Sequence, residues 1–219
     1  MLIKFHWIVL IVALLVIGAS NNAFAFIVIN EFLADVPLGL AGDANGDGVR
    51  SGSQDEFVEI VNWGDSEVSI AQWVLRDAVS TRHIFDIGTN LMPYECIVLF
   101  GGGQPTGFSV QTVTASSGGL SLNNDGDLIQ LFSEGGVLKD QVSYGSAADN
   151  DQSLVRNPEC AGDFRMHAGI PGAQGALFSP GVRAEGTPFS CPTVPEPAHC
   201  FLFGLGAVLR CIKRYRRKE

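Results

Sequence analysis

Asp55-Glu56-Phe57-Val58-Glu59-Ile60-Val61-Asn62 is the stretch that decides the fold. β-Branched and aromatic residues dominate it, and Glu59 stands between apolar neighbours. That alternation is the mark of a strand with one face on a core and one toward water, so Glu59 is expected in solvent. Runs of the same kind recur outward from it: Ile27–Leu33, Glu56–Asn62, Val68–Leu75, Arg82–Phe85, Cys96–Phe100, Val110–Thr114, Leu128–Phe132 and Val137–Tyr144. Tight-turn signals such as Asn123-Asn124-Asp125-Gly126 and Glu134-Gly135-Gly136 separate them. No long stretch has helical period. The pattern predicts an all-β chain folded as an antiparallel β-sandwich. The Cys…Trp…Cys framework of antibody domains is absent, so an immunoglobulin-like relation is one of architecture.

Six segments carry a closer resemblance. Ile29-Asn30-Glu31-Phe32-Leu33-Ala34 opens the body, the quoted stretch from Asp55 to Asn62 follows, and Ala71-Gln72-Trp73-Val74-Leu75-Arg76-Asp77 comes third. With Leu91 to Phe100, Leu120 to Asp127 and Asp140 to Tyr144 in that order, the chain resembles the lamin-tail domain in its bacterial, secreted form over roughly Phe26 to Gly145. The residue before the core Trp, usually Gly, is Gln72 here. The resemblance implies an immunoglobulin-like sandwich that serves as a non-catalytic binding or tethering module. Gln152-Ser153-Leu154-Val155-Arg156 matches a Gln-Ser-Leu-x-Arg string of such proteins, which implies that it closes the domain. On this reading residues 26–157 are the domain. Residues 158–193, rich in Gly, Pro and Ala, are a spacer holding it away from a membrane.

Both ends read as addresses. Residues 1–25 form a signal helix with Lys4 as its positive start, an apolar run from Trp7 to Ile17, and the small-x-small pattern Ala23-Phe24-Ala25. Signal peptidase cleavage there leaves Phe26 first. An uncleaved anchor is the alternative. At the other end Val194-Pro195-Glu196-Pro197 precedes an apolar segment from Ala198 to Leu209, expected as a short helix, and a basic cluster from Arg210 to Lys218. This order, over residues 194–219, resembles the PEP-CTERM sorting signal of Gram-negative bacteria that make exopolysaccharide. The resemblance implies processing by an exosortase-type protease and transient anchoring in the envelope. Delivery to the surface or exopolysaccharide matrix follows, where a surface protein or the polysaccharide itself is the partner. A plain C-terminal anchor explains the apolar and basic parts equally well, though the run falls short of the roughly 20 residues that span a bilayer.

Charge supports an outer compartment. From Phe26 to Pro197 there are seven basic residues against 22 acidic ones, a net of −15 within a chain of −9. Such a body does not hold nucleic acid by neutralising phosphates and suits divalent cations. Of the five cysteines, Cys200 and Cys211 lie in the tail and Cys96 sits in an apolar run as a buried thiol. Cys160 and Cys191 are free to pair in an oxidising compartment.

One segment has the spacing of a cation site. Asp43-Ala44-Asn45-Gly46-Asp47-Gly48 is D-x-N-x-D-G, three oxygen side chains on alternate residues with Gly at the turn. Val49 offers a carbonyl and Ser51 occupies the ninth position. The twelfth is Gln54, where a bidentate acid is expected, so a slipped loop would use Asp55 or Glu56. The predicted ion is calcium, held by Asp43, Asn45, Asp47, Val49 and Asp55 and ordering the loop between the first two strands. An ion-free acidic hairpin is the alternative.

No catalytic constellation stands out. His83 reads as a surface or edge residue of a strand and His167 as a loop residue. No His pair has metal-ligand spacing and no G-x-S-x-G elbow occurs. Gly101-Gly102-Gly103 reads as a flexible connection, and Asp125 with Asp127 as solvated. Trp73 is core, whereas Trp63, beside a turn, is the aromatic expected to be exposed and able to stack on sugar. The function read from sequence is an exported, non-catalytic binding or tethering module. A calcium-dependent carbohydrate-binding module and an accessory subunit of a secreted hydrolase or nuclease are the alternatives.

Overall fold

A computed structural model describes residues 26–189. The signal helix with Ala23 and Ala25, the C-terminal apolar helix and the motif Val194–Pro197 lie outside the described residues, as does Cys191. Among the described residues no helix is long and apolar enough to cross a membrane. The strands are β1 Ile27–Leu33, β2 Phe57–Asn62, β3 Val68–Ser69, β4 Val74–Arg76, β5 Thr81–Ile84, β6 Asn90–Leu91, β7 Cys96–Phe100, β8 Gln111–Thr114, β9 Gly126–Phe132, β10 Leu138–Gly145, β11 Leu154–Asn157 and β12 Asp163–Met166. They form a six-stranded sheet in the order β12-β11-β1-β2-β7-β8, a four-stranded sheet β10-β9-β4-β5, and the small pair β3-β6. All pairs are antiparallel except β7 with β8.

The main core lies between the two large sheets. Ile29, Phe32, Val58, Ile60, Ile97 and Leu99 face Leu75, Ile129, Leu131 and Val142, with Trp73, Phe85 and Leu91 at the margins. Phe32 is fully buried and meets the Tyr144 ring at 4.6 Å and the Phe164 ring at 5.4 Å. Stacked and edge contacts of this kind add about 0.5–1.5 kcal/mol beyond the area they bury.

The far face of the six-stranded sheet is not open to water. Every residue of β1, β2 and β7 is buried. On that face Leu33, Phe57, Val98 and Phe100 pack with Val36 and Ala44 and against Phe108 and Phe178. Beside them Val28, Val61 and Cys96 pack with Cys160 and against Phe189. Much of the cover comes from residues 158–189, which sequence reading assigns to a spacer. They carry β12, which pairs with β11, and then run back across β1, β2 and β7 as a strap. The short apolar residues of this stretch, Ala173, Ala184 and Cys160, are buried, which is why its composition resembles a linker while its packing does not.

The expected strand Val68–Leu75 is broken. Ile70 and Trp73 close a turn through the Trp73 N–H to the Ile70 carbonyl at 3.0 Å, and Gln72 takes φ +59°. A left-handed backbone here explains why Gly is usual at this position and what Gln72 costs. Gln72→Gly is therefore expected to hold stability within about 1 kcal/mol of the parent. Gln72→Val, β-branched in a left-handed well, is expected to lose about 1–3 kcal/mol. Urea denaturation of the two variants checks this.

Candidate functional site

The loop between β1 and β2 folds onto its own acids. The Gly48 N–H donates to Asp43 Oδ2 at 2.8 Å, the Asp47 N–H to Asn45 Oδ1 at 3.0 Å, and the Val49 N–H to Asp47 Oδ1 at 2.9 Å. Asp55, fully buried, accepts the Asn45 N–H at 3.0 Å and the Ser51 N–H at 2.6 Å. The loop thus fixes Asp43, Asn45, Asp47 and Asp55 through its own backbone N–H groups. Glu56, its neighbour, points elsewhere: its Oε2 accepts the Leu122 N–H at 3.4 Å. Asp43 Oδ1 is buried with no hydrogen-bond partner. Asp43 and Asp55 each have their other contacts fixed by backbone N–H groups. Among the described residues no three His, Cys, Asp or Glu side chains gather as a metal-holding group. An ion in this loop would therefore draw on the Asn45 amide oxygen and backbone carbonyls such as that of Val49, as well as on the acids. That donor set is all hard oxygen and fits calcium.

The glycine run after β7 is part of this site rather than a flexible connection. The Gln104 N–H donates to Asp47 Oδ2 at 3.1 Å, and Asn45 Nδ2 reaches the Gly102 carbonyl at 3.4 Å. Gly103 has φ +76°, and a Cβ there would collide with Asn45 Nδ2 and Asp47 Oδ2. Glycine at that position is what lets the loop seat on the sheet.

A second polar centre lies under the strap, and sequence reading missed it. Glu59 is not in solvent; it is fully buried, as is Glu31 opposite it on β1. The register shifts between Ile29 and Glu31, and Asn30, also fully buried, turns toward the strap. Its Nδ2 donates to Glu59 Oε1 at 2.9 Å and to Glu159 Oε2 at 2.7 Å, while its Oδ1 accepts the Cys160 N–H at 2.8 Å. Glu31 accepts from the Ser153 hydroxyl at 2.6 Å, the Ser179 N–H at 2.9 Å and the Ser179 hydroxyl at 2.8 Å. The Gly181 N–H donates to Glu59 Oε2 at 2.8 Å and the Ala184 N–H to Glu159 Oε1 at 2.9 Å. Burial pushes Glu31, Glu59 and Glu159 above the ordinary carboxylate range, and for Glu59 the charge of Glu31 adds to the effect.

His167 completes the centre. Its Nδ1 lies 2.8 Å from the Ala176 carbonyl, which only accepts, so Nδ1 carries a proton. Its Nε2 lies 2.8 Å from Ser179 Oγ. The chain His167–Ser179–Glu31 is a continuous hydrogen-bonded path that gives each of these buried polar groups a partner. The serine is in the middle. A nucleophilic triad places histidine between acid and serine, a different order from this relay, which fastens the strap to β1.

Other expectations need correction. His83 does lie on an edge strand, β5, but is 6% exposed and not a surface residue; its Nδ1 accepts the Ser116 N–H at 3.2 Å, its ring lies edge-on to Phe85, and burial holds its pKa down. Trp63 is half-buried rather than an open platform, with Tyr94 edge-on at 5.5 Å and the Arg183 guanidinium over it at 5.3 Å. Asp127 is buried, and its carboxylate accepts the Ala78, Leu128 and Asn123 N–H groups. Cys160 is a buried free thiol beside Cys96, and burial raises both thiols.

Glu56 gives a direct test of this electrostatic picture. Burial pushes it up to about 7 from an ordinary 4.5. The folded state therefore prefers the protonated form: its contribution is intact below about pH 4.5 and is lost as pH rises to about 7. Glu56→Gln is expected to flatten that part of the stability–pH curve, measured by urea denaturation between pH 4 and 8.

No curated protein matches the chain. The family model for the lamin tail domain matches residues 21–146, more than half of the 219-residue chain, and the immunoglobulin-like sandwich of that family is compatible with a non-catalytic binding module. The chain belongs to the lamin tail domain family.

Proposed function

We propose that the chain is an exported, non-catalytic lamin-tail module that tethers itself at the cell envelope or in an exopolysaccharide matrix, with calcium ordering its β1–β2 loop. Export is supported by the sequence of residues 1–25. Sorting is supported by the order of Pro195-Glu196-Pro197, apolar segment and basic cluster. The net acidity of the body favours a compartment with millimolar divalent cations over contact with nucleic acid.

The observation that carries the calcium reading is the orphan oxygen of Asp43. Its carboxylate is fixed by Gly48 through one oxygen while the other is buried and unpaired, a cost of about 1–3 kcal/mol that an ion would remove. Asn45 and Asp47 are locked beside it by the Gly102–Gln104 segment. The role is structural: the loop seats on the Gly102–Gln104 segment that follows β7.

Thermal melting in calcium and in chelator tests the loop. Calcium is expected to raise the Tm of the parent by several degrees and to leave Asp43→Ala/Asp47→Ala unmoved. An equal shift in both would remove the loop as the site. Intact mass of the product from a host with an exosortase tests the address labels. The expected chain begins at Phe26 and has lost its apolar C-terminus. A product retaining residues 1–25 or the basic tail would contradict the corresponding half.

A further inference from the structure

Glu59 differs from the other acids under the strap. Both of its hydrogen bonds come from neutral donors, Asn30 Nδ2 at 2.9 Å and the Gly181 N–H at 2.8 Å. Glu31 has the His167–Ser179 relay, and Glu159 is only half-buried. The titratable and charged groups around Glu59 are Glu31 from β1, Cys96 from β7, Arg156 from β11, and Glu159, Cys160, His167 and Arg183 from the strap. The two that act most strongly on it, Glu31 and Glu159, bear its own sign.

The contact with the strap is made by backbone. Gly181 has φ +87°, and a Cβ there would come within 2.8 Å of Val110 Cγ2, so the chain lies directly on the carboxyl group. Around it the strap is fastened at Ser179 to Glu31 and at Ala184 to Glu159, and Phe178 and Phe189 pack against the sheet. Glu59 itself has no exposed surface in the closed form, at 0%.

We propose that Glu59 is a proton-dependent latch: residues 176–186 close over β1, β2 and β7 with Glu59 protonated, and its ionisation releases them. As a neutral acid Glu59 buries no charge, and its carbonyl oxygen still accepts. As a carboxylate it has two neutral N–H donors but stands fully buried beside two other acids, and the hydration it lacks is what an open strap admits. The sign follows from its raised pKa. Closure is fully favoured below the ordinary carboxylate pKa and is lost as pH rises through the folded-state value. The strap is thus tight in acid and loosens toward neutral and alkaline pH.

Hydrogen exchange of the full-length chain in chelator tests this, because the calcium loop is then silent. Opening constants for residues 176–186 are read against those of β9 and β10 after correction for intrinsic exchange. The parent is expected to open more readily as pH rises above about 4.5, by up to tenfold per pH unit for a single proton, while β9 and β10 stay unchanged. Glu59→Gln is expected to abolish the slope. A flat profile in the parent overturns the proposal without any variant. An unchanged slope in a Glu59→Gln protein with protected β9 and β10 amides overturns it as well.

Discussion

Two glutamates on paired strands, buried face to face, set the terms for the rest of this molecule. Glu31 and Glu59 occupy one row across β1 and β2 with no exposed surface. Leaving such groups bare in an apolar interior costs several kcal/mol each. The strap is what makes their burial tolerable. Its backbone N–H groups at Ser179 and Gly181, its Ser179 hydroxyl and His167 supply the donors that water would otherwise supply. The acids in turn fasten a segment whose composition gives it little apolar area of its own. Sheet and strap therefore depend on each other.

This mutual dependence turns a two-layer sandwich into a fold with a third, irregular layer. β1, β2 and β7 are enclosed on both faces, a condition more usual for parallel sheets. Arg156 ties the layers together: its Nε donates to the Ile29 carbonyl at 2.7 Å and its Nη2 to Asp140 Oδ2 on β10 at 3.1 Å, with its guanidinium over Phe164. The Gln152–Arg156 string is thereby explained residue by residue. Gln152 holds the Ala168 N–H, Ser153 bonds Glu31, Leu154 enters the core and Arg156 bridges the sheets. At the other end of the same sheet the β1–β2 loop seats on the Gly102–Gln104 segment, so both polar centres are built on one surface.

The central strands were legible because their period is strong and their lengths ordinary. The covered face was not, and the reason lies in Glu59 itself. A lone acid between apolar neighbours reads as the wet side of a strand. Phe57 and Val61 share its face by the two-residue period, and two apolar residues flanking an acid on one face were the available sign that something covers it. β11 and β12 escaped notice because four-residue strands in a Gly-, Pro- and Ala-rich stretch carry too little pattern. The calcium motif was visible from spacing alone, but the choice between Asp55 and Glu56 needed their hydrogen-bond partners. Gly103 could not be told from a linker glycine without its left-handed φ and its neighbours. Gln72 shows the converse: a departure from the family's usual glycine that only backbone geometry makes intelligible.

The central claim is that residues 158–189 are an integral layer rather than a spacer. Equilibrium denaturation of a chain ending at Asn157, with dye binding to exposed apolar surface, tests it most directly. The account predicts that this chain exposes Phe57, Val61, Cys96 and Phe100, binds the dye in the absence of denaturant, and shows no cooperative transition. A truncated chain that unfolds cooperatively at the same denaturant midpoint as the full-length protein, without binding the dye, would contradict it.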